Sequence, residues 1–135
     1  MIPVLNLDAR GGFLANECAE EPEYTTNYMP FSREVAKSGD IVIPVYGDSM
    51  TPKYPSGSMI LIRHIPAWRE FIEFGAAYVI ELTDERRLIK NIQRGRDEDT
   101  FLLESVNPKY EAADIPKKLI RSVFRVVMVV RRESL

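Results

Sequence analysis

The 135-residue chain has one cysteine, one histidine and no surplus of charge of either sign. A lone cysteine, Cys18, excludes an internal disulfide and any cysteine-rich metal site. A lone histidine, His64, excludes a multi-histidine metal centre and makes any serine–histidine–aspartate triad depend on that one residue. The formal net charge is -2, so no basic excess marks a nucleic-acid surface. No apolar run reaches membrane-spanning length. The opening Met1-Ile2-Pro3-Val4 is not the charged and then apolar start of a signal peptide. With no motif calling for a metal or a cofactor, the expectation is a soluble, cytoplasmic protein with no membrane segment. Its length suits one domain with a real core.

What is present divides unevenly. Residues 1–35 read as an N-terminal arm, polar and irregular apart from a short strand expected at Val4–Leu7. It holds the glycine pair Gly11-Gly12 and an acidic stretch from Glu17 to Glu23, and it has too few apolar residues for a core of its own. Cys18 lies among those glutamates, surroundings that disfavour a thiolate, so it reads as inert.

Residues 36–135 read as the folded domain, and the pattern there is β. Ile41–Tyr46 is a nearly continuous apolar strand, whose Pro44 implies a free or bulged edge. Further strands are expected at Met59–Arg63, Ala77–Leu82, Arg87–Gln93, Phe101–Ser105 and Val123–Val130, with polar or glycine-containing turns between them. Trp68, Phe71 and Phe74 stand at helical spacing, which predicts one short helical turn between Ile65 and Phe74. A second turn of helix is expected within Asp114–Leu119. Many short strands with close turns and little helix make a mainly-β fold.

Two stretches carry chemistry. Val45-Tyr46-Gly47-Asp48-Ser49-Met50-Thr51-Pro52 ends the Ile41 strand with a glycine and a serine, then a proline that stops it. This puts the Ser49 hydroxyl where turn N–H groups, having no ladder partner, can face a developing oxyanion. It is equally the composition of an ordinary Asp-Ser turn. The second stretch is Arg87-Leu88-Ile89-Lys90-Asn91-Ile92-Gln93. Alternation puts Lys90 on one face with Leu88 and Ile92. Lysines commonly mark exposed faces and sheet edges. A lysine held among aliphatic side chains without an anion instead favours its neutral form. Such an amine can take a proton from serine, which would make Ser49 and Lys90 a nucleophile–base dyad.

Gly47-Asp48-Ser49-Met50 with Pro52, a turn at Gly57, and Leu88-Ile89-Lys90-Asn91-Ile92 in that order resemble the LexA, phage-repressor and UmuD self-cleaving peptidase family. Gly75 before an apolar strand, Asn107-Pro108-Lys109-Tyr110 and a closing valine-rich strand fall in the same order. The resemblance runs from about Val4 to the C-terminus. It implies the LexA- and signal-peptidase-like arrangement of short antiparallel strands. It implies Ser49 as nucleophile, Lys90 as general base and the backbone N–H groups of Asp48 and Ser49 as oxyanion donors. The reaction implied is cleavage of one bond in the protein's own arm. Family members cut between a small residue and a glycine, often Ala-Gly. This chain offers Arg10-Gly11 or Gly11-Gly12, and Gly11-Gly12 is favoured because both residues are small. The usual alanine is missing, and Ser56-Gly57-Ser58 lacks the aspartates that often flank that glycine. GDSL-type esterases fit poorly, since they are α/β folds with an aspartate and a histidine near the C-terminus.

The resemblance also implies a homodimer, with the final strand or its edge meeting a second copy. It implies DNA binding only through an N-terminal helix-turn-helix, which these residues do not contain. A RecA–single-stranded DNA filament is the implied trigger, in an SOS response. Three functional readings follow. One is the self-processing C-terminal domain of a LexA- or phage-repressor-like transcriptional regulator. Another is a non-cleaving dimerisation or interaction module of such a regulator. The third is a stand-alone UmuD-like subunit of a translesion polymerase.

Overall fold

The computed structural model describes residues 2–5, 25–29 and 35–130. The glycine pair Gly11-Gly12 and Cys18 lie outside them. Among the described residues nine strands form one sheet: β1 Ile2–Leu5, β2 Thr25–Met29, β3 Ile41–Pro44, β4 Met59–His64, β5 Ala77–Leu82, β6 Arg87–Arg94, β7 Thr100–Glu104, β8 Ala113–Pro116 and β9 Ile120–Val130. Their order across the sheet is β2-β1-β3-β4-β9-β5-β6-β7-β8. All neighbours are antiparallel except β1 and β3, which meet in parallel through Val4 and Val42. The mainly-β expectation holds.

Strand β5 shows why these residues make strands. Ala77-Tyr78-Val79-Ile80-Glu81-Leu82 is buried along its whole length. Tyr78, Ile80 and Leu82 enter one apolar cluster with Trp68, Ile92, Phe101 and Val123. Val79 points into another with Ile43, Val45, Met50, Ile60, Ile62 and Phe124. Period-2 alternation thus feeds a core on each side of the sheet. Strand β4 does the same, with Ile60 and Ile62 in the Val79 cluster and Leu61 packed with Ala36 and Val42. Glu81 is the charged exception in β5, fully buried and 3.4 Å from Arg121.

The Ile41 strand is shorter than its apolar run. Pairing with β4 stops at Pro44–Met59. Val45 then leaves the ladder but stays tied to the following turn, donating to Ser58 O at 2.8 Å and accepting from Gly57 at 2.9 Å. Gly57 has φ +91°, a conformation that favours glycine. Strand β1 meets β3 at Val4–Val42 alone, which leaves Pro44 the free edge that its missing N–H requires.

The two expected helical turns are both short. Between Ile65 and Phe74 a single turn forms, closed by bonds from Glu70 and Phe71 to Ala67 O at 3.0 and 2.9 Å. Trp68 is buried there but Phe71 is 78% exposed, so the aromatic spacing does not reflect one packed helical face. In Asp114–Leu119 the first residues form edge strand β8 against β7, and only Lys117–Leu119 turn, in a 3-10 conformation.

Segment 35–40 is fastened to β4 by a buried ion pair. Arg63 donates from Nε to Asp40 Oδ1 at 3.0 Å and from an Nη to Oδ2 at 2.8 Å. The Lys37 N–H adds a third bond to that carboxylate at 2.9 Å. Asp40 is 1% exposed, and these three charge-assisted bonds are what let an ionised group stay there.

Candidate functional site

Where β3 gives out, the chain makes two tight turns in succession. Gly47 adopts φ +82°, which redirects the backbone out of the sheet direction. The Thr51 N–H then closes onto Asp48 O at 3.2 Å, and the Thr51 hydroxyl reaches the same carbonyl at 2.8 Å. Ser49 sits inside this turn, partly buried, and Met50 beside it is 1% exposed in the Val79 cluster. Met50 anchors the turn to the core. None of the backbone bonds within the described residues takes the Asp48 or Ser49 N–H as donor.

Lys90 lies on β6 opposite Tyr78. Its sequence neighbours on that face, Leu88 and Ile92, pack in or against the Trp68 cluster. The amine is partly buried, and burial holds the Lys90 pKa below the ordinary lysine value. Its Nζ donates to Ser105 Oγ at 2.7 Å, just past the end of β7, and lies 5.9 Å from the centre of the Tyr110 ring. No salt bridge to Lys90 occurs among the described residues.

Ser49 and Lys90 line one cavity of about 230 Å³. Its walls are Ile43 to Tyr46 from the end of β3, Met50, Val79 from β5, and Arg87 to Lys90 from β6. The cavity is lined by polar and apolar surface in nearly equal measure, and Ser49 and Lys90 both contribute to its wall. Two elements far apart in sequence are brought together because β5 pairs with β6 on one edge while Val79 packs against Met50 below β3. A hydroxyl, an amine held below its ordinary pKa and turn N–H groups without a backbone acceptor among the described residues are parts that acyl transfer uses.

Of the residues that the sequence singles out, Ser49 and Lys90 line one cavity, and Asp48 precedes Ser49 in the turn outside that lining. Sequence reasoning places Ser105 at the end of a strand and names the Asn107–Tyr110 run, but assigns neither a role at the site. Ser105 meets the Lys90 amine, and Asn107 bonds Ser49 O through its own N–H at 2.9 Å. Asp48, read as a turn-former, also accepts from the Tyr110 hydroxyl and lies 3.8 Å from Lys109 Nζ. The Tyr110 bond, with Lys109 beside it, holds the Asp48 carboxyl below the usual carboxylate range. The signal that could have found these partners is the Ser-Val-Asn-Pro-Lys-Tyr run itself, polar groups clustered directly after an apolar strand.

Among the described residues no group of three or more histidine, cysteine, aspartate or glutamate side chains could hold a metal ion. Nor is any helix there long and apolar enough to cross a membrane. A family model described as Peptidase S24-like matches residues 3–127. No curated protein sequence matches the chain.

Proposed function

The chain belongs to the Peptidase S24-like family, and from that premise we propose that it cuts one peptide bond of its own N-terminal arm, Gly11–Gly12, with Ser49 as nucleophile and Lys90 as base. The observation that carries this reading is the shared cavity, with Ser49 and the partly buried Lys90 on its walls.

In this reaction neutral Lys90 Nζ takes the proton from Ser49 Oγ as the oxygen bonds to the carbonyl carbon of Gly11. The resulting oxyanion is met by the N–H groups of Asp48 and Ser49. Collapse breaks the C–N bond, and the Lys90 ammonium returns its proton to the leaving amine of Gly12. Water, deprotonated by Lys90, then attacks the Gly11 acyl ester, and Ser49 recovers its proton. Ser105 serves as a positioning residue that keeps the amine from swinging out of the cavity.

Strand direction supports delivery of the arm. Because β1 runs parallel to β3 with Val4 beside Val42, the chain leaves Leu5 toward the same sheet end at which β3 leads into Ser49. Gly11 is six residues beyond Leu5, a reach of up to about 20 Å when extended.

The reading includes a homodimer. β9 pairs with β5 only up to Arg125 and continues to Val130 beside β4, so the edge of residues 126–130 that faces away from β4 has no strand partner among the described residues. A second copy's strand fits such an edge. In a LexA- or repressor-like regulator, cutting the arm would part DNA-binding heads from the dimer and lower operator affinity through lost bivalency. A RecA filament as trigger rests on family resemblance alone.

The test is incubation at alkaline pH followed by intact-mass spectrometry. The expected products are residues 1–11 and 12–135, with none from Ser49→Ala or Lys90→Ala. Cutting by either variant, or a wild-type chain that stays whole while a self-cleaving control is cut, overturns the proposal.

A further inference from the structure

The serine turn and the lysine strand are joined by one loop, residues 105–110, between β7 and β8. Its first residue, Ser105, receives the Lys90 amine at 2.7 Å. Two residues on, Asn107 grips the serine turn at three points. Its backbone N–H donates to Ser49 O at 2.9 Å. Its side-chain Nδ2 donates to Asp48 O at 2.9 Å and lies 3.3 Å from Thr51 Oγ1. Asp48 O is also the carbonyl on which the turn closes through Thr51. Asn107 therefore reaches the centre of the turn from outside it.

The Asn107 amide is itself fixed. Its Oδ1 accepts from the Lys109 N–H at 3.0 Å, and its carbonyl accepts from the Tyr110 N–H at 3.2 Å. These bonds orient the amide so that Nδ2 faces Asp48 with little freedom left to lose. The neighbouring contacts of Asp48 with Tyr110 and Lys109 lie at the exposed surface, where ion pairs and hydrogen bonds are screened and contribute little. Asn107 differs in reaching the turn backbone itself, with a donor to Ser49 O and a donor to Asp48 O.

We infer that Asn107 is the positioning residue for the nucleophile: it registers the Ser49 turn against the loop whose Ser105 holds the Lys90 amine, so that hydroxyl and amine keep one fixed relation. This rests on the self-cleavage reading above. Nucleophile geometry is unforgiving, and a displacement of about 1 Å costs on the order of 100-fold in rate.

The experiment uses the full chain and two variants, Asn107→Ala and the nearly isosteric Asn107→Asp, which keeps the acceptor for Lys109 but removes the Nδ2 donor. Self-cleavage is followed across alkaline pH. Both variants are expected to lose roughly 10- to 100-fold in plateau rate. The midpoint of the Asn107→Ala profile should match wild type, because the Lys90–Ser105 contact is untouched. A parallel measurement does not depend on cleavage: in a Ser49→Ala background, Asn107→Ala should move or broaden the backbone amide NMR signals of Asp48 to Thr51 and spare those of β5. Variants that cut within twofold of wild type overturn the inference. So does a shifted midpoint with an unchanged plateau, which would mean that Asn107 acts on the lysine. Unchanged turn amides overturn it as well. An inactive wild type sinks the self-cleavage reading instead, and the amide signals then decide whether Asn107 fixes the turn.

Discussion

The Lys90 amine donates to the Ser105 hydroxyl at 2.7 Å, across the junction of β6 with the end of β7. An ammonium or a neutral amine can make this bond, but the hydroxyl oxygen favours the charged form while burial disfavours it. Removing the hydroxyl should therefore have two effects. Ser105→Ala is expected to lower the plateau rate of self-cleavage roughly 10- to 100-fold, because the amine is no longer aimed, and to move the midpoint of the pH profile to lower pH. Ser105→Thr, which keeps the hydroxyl, should stay near wild type. Rates measured from pH 7 to 11 check both.

The wild-type profile has a sign fixed by the lysine. Only the neutral amine can act as base, so the rate should rise with pH and level off above the Lys90 pKa. Because burial lowers that pKa, the midpoint is expected below the ordinary lysine value of about 10.4. A midpoint at or above it would show that the amine is not desolvated in the reacting protein.

The Asp40–Arg63 pair predicts a stability effect away from the site. Arg63→Ala leaves a 1%-exposed carboxylate with the Lys37 N–H as its one remaining donor among the described residues. Breaking a buried pair in this way costs about 3 kcal/mol. The expected result is a markedly lower urea midpoint with an unchanged m-value. A loss below about 1 kcal/mol would show that Arg63, itself partly exposed, is replaced by water.

Gly95 sits in the turn between β6 and β7. A Cβ there would run into the backbone oxygen and the hydroxyl of Thr100, and Thr100 is 5% exposed. Gly95→Ala should destabilise the protein by about 1–3 kcal/mol through overpacking, read as a lower melting temperature. By contrast nothing stands near a Cβ at Gly39, where the cost comes only from its φ of +94°.

Much of this was legible in the sequence because burial is periodic. β5 runs over Ala77–Leu82, as its apolar run and flanking turn signals predict. β6 and β9 extend the expected strands by one and three residues. Ser49 stood out because glycine and proline punctuate its strand end, and Lys90 because its neighbours are aliphatic. What local pattern cannot carry is pairing between distant segments. The polar run after Glu104 marks a loop worth attention, but no local pattern says that it meets Lys90 or that Asn107 folds back onto Asp48. The same limit explains the turns. The spacing of Trp68, Phe71 and Phe74 suits a helix, yet Trp68 packs with Phe101 at 6.0 Å while Phe74 meets Phe101 edge-on at 6.2 Å. The fold takes those rings singly, and the chain bends to supply them. Asp114–Leu119 has local helical character that an available β7 edge overrides for its first residues.

The claim beneath the proposed chemistry is that Lys90 gives up its proton more readily than an ordinary lysine. NMR titration of the lysine side chains in a Ser49→Ala protein, with Lys90 assigned by its absence in Lys90→Arg, measures this directly. The account predicts that Lys90 titrates below the ordinary lysine value of about 10.4. Titration at or above that value would contradict it.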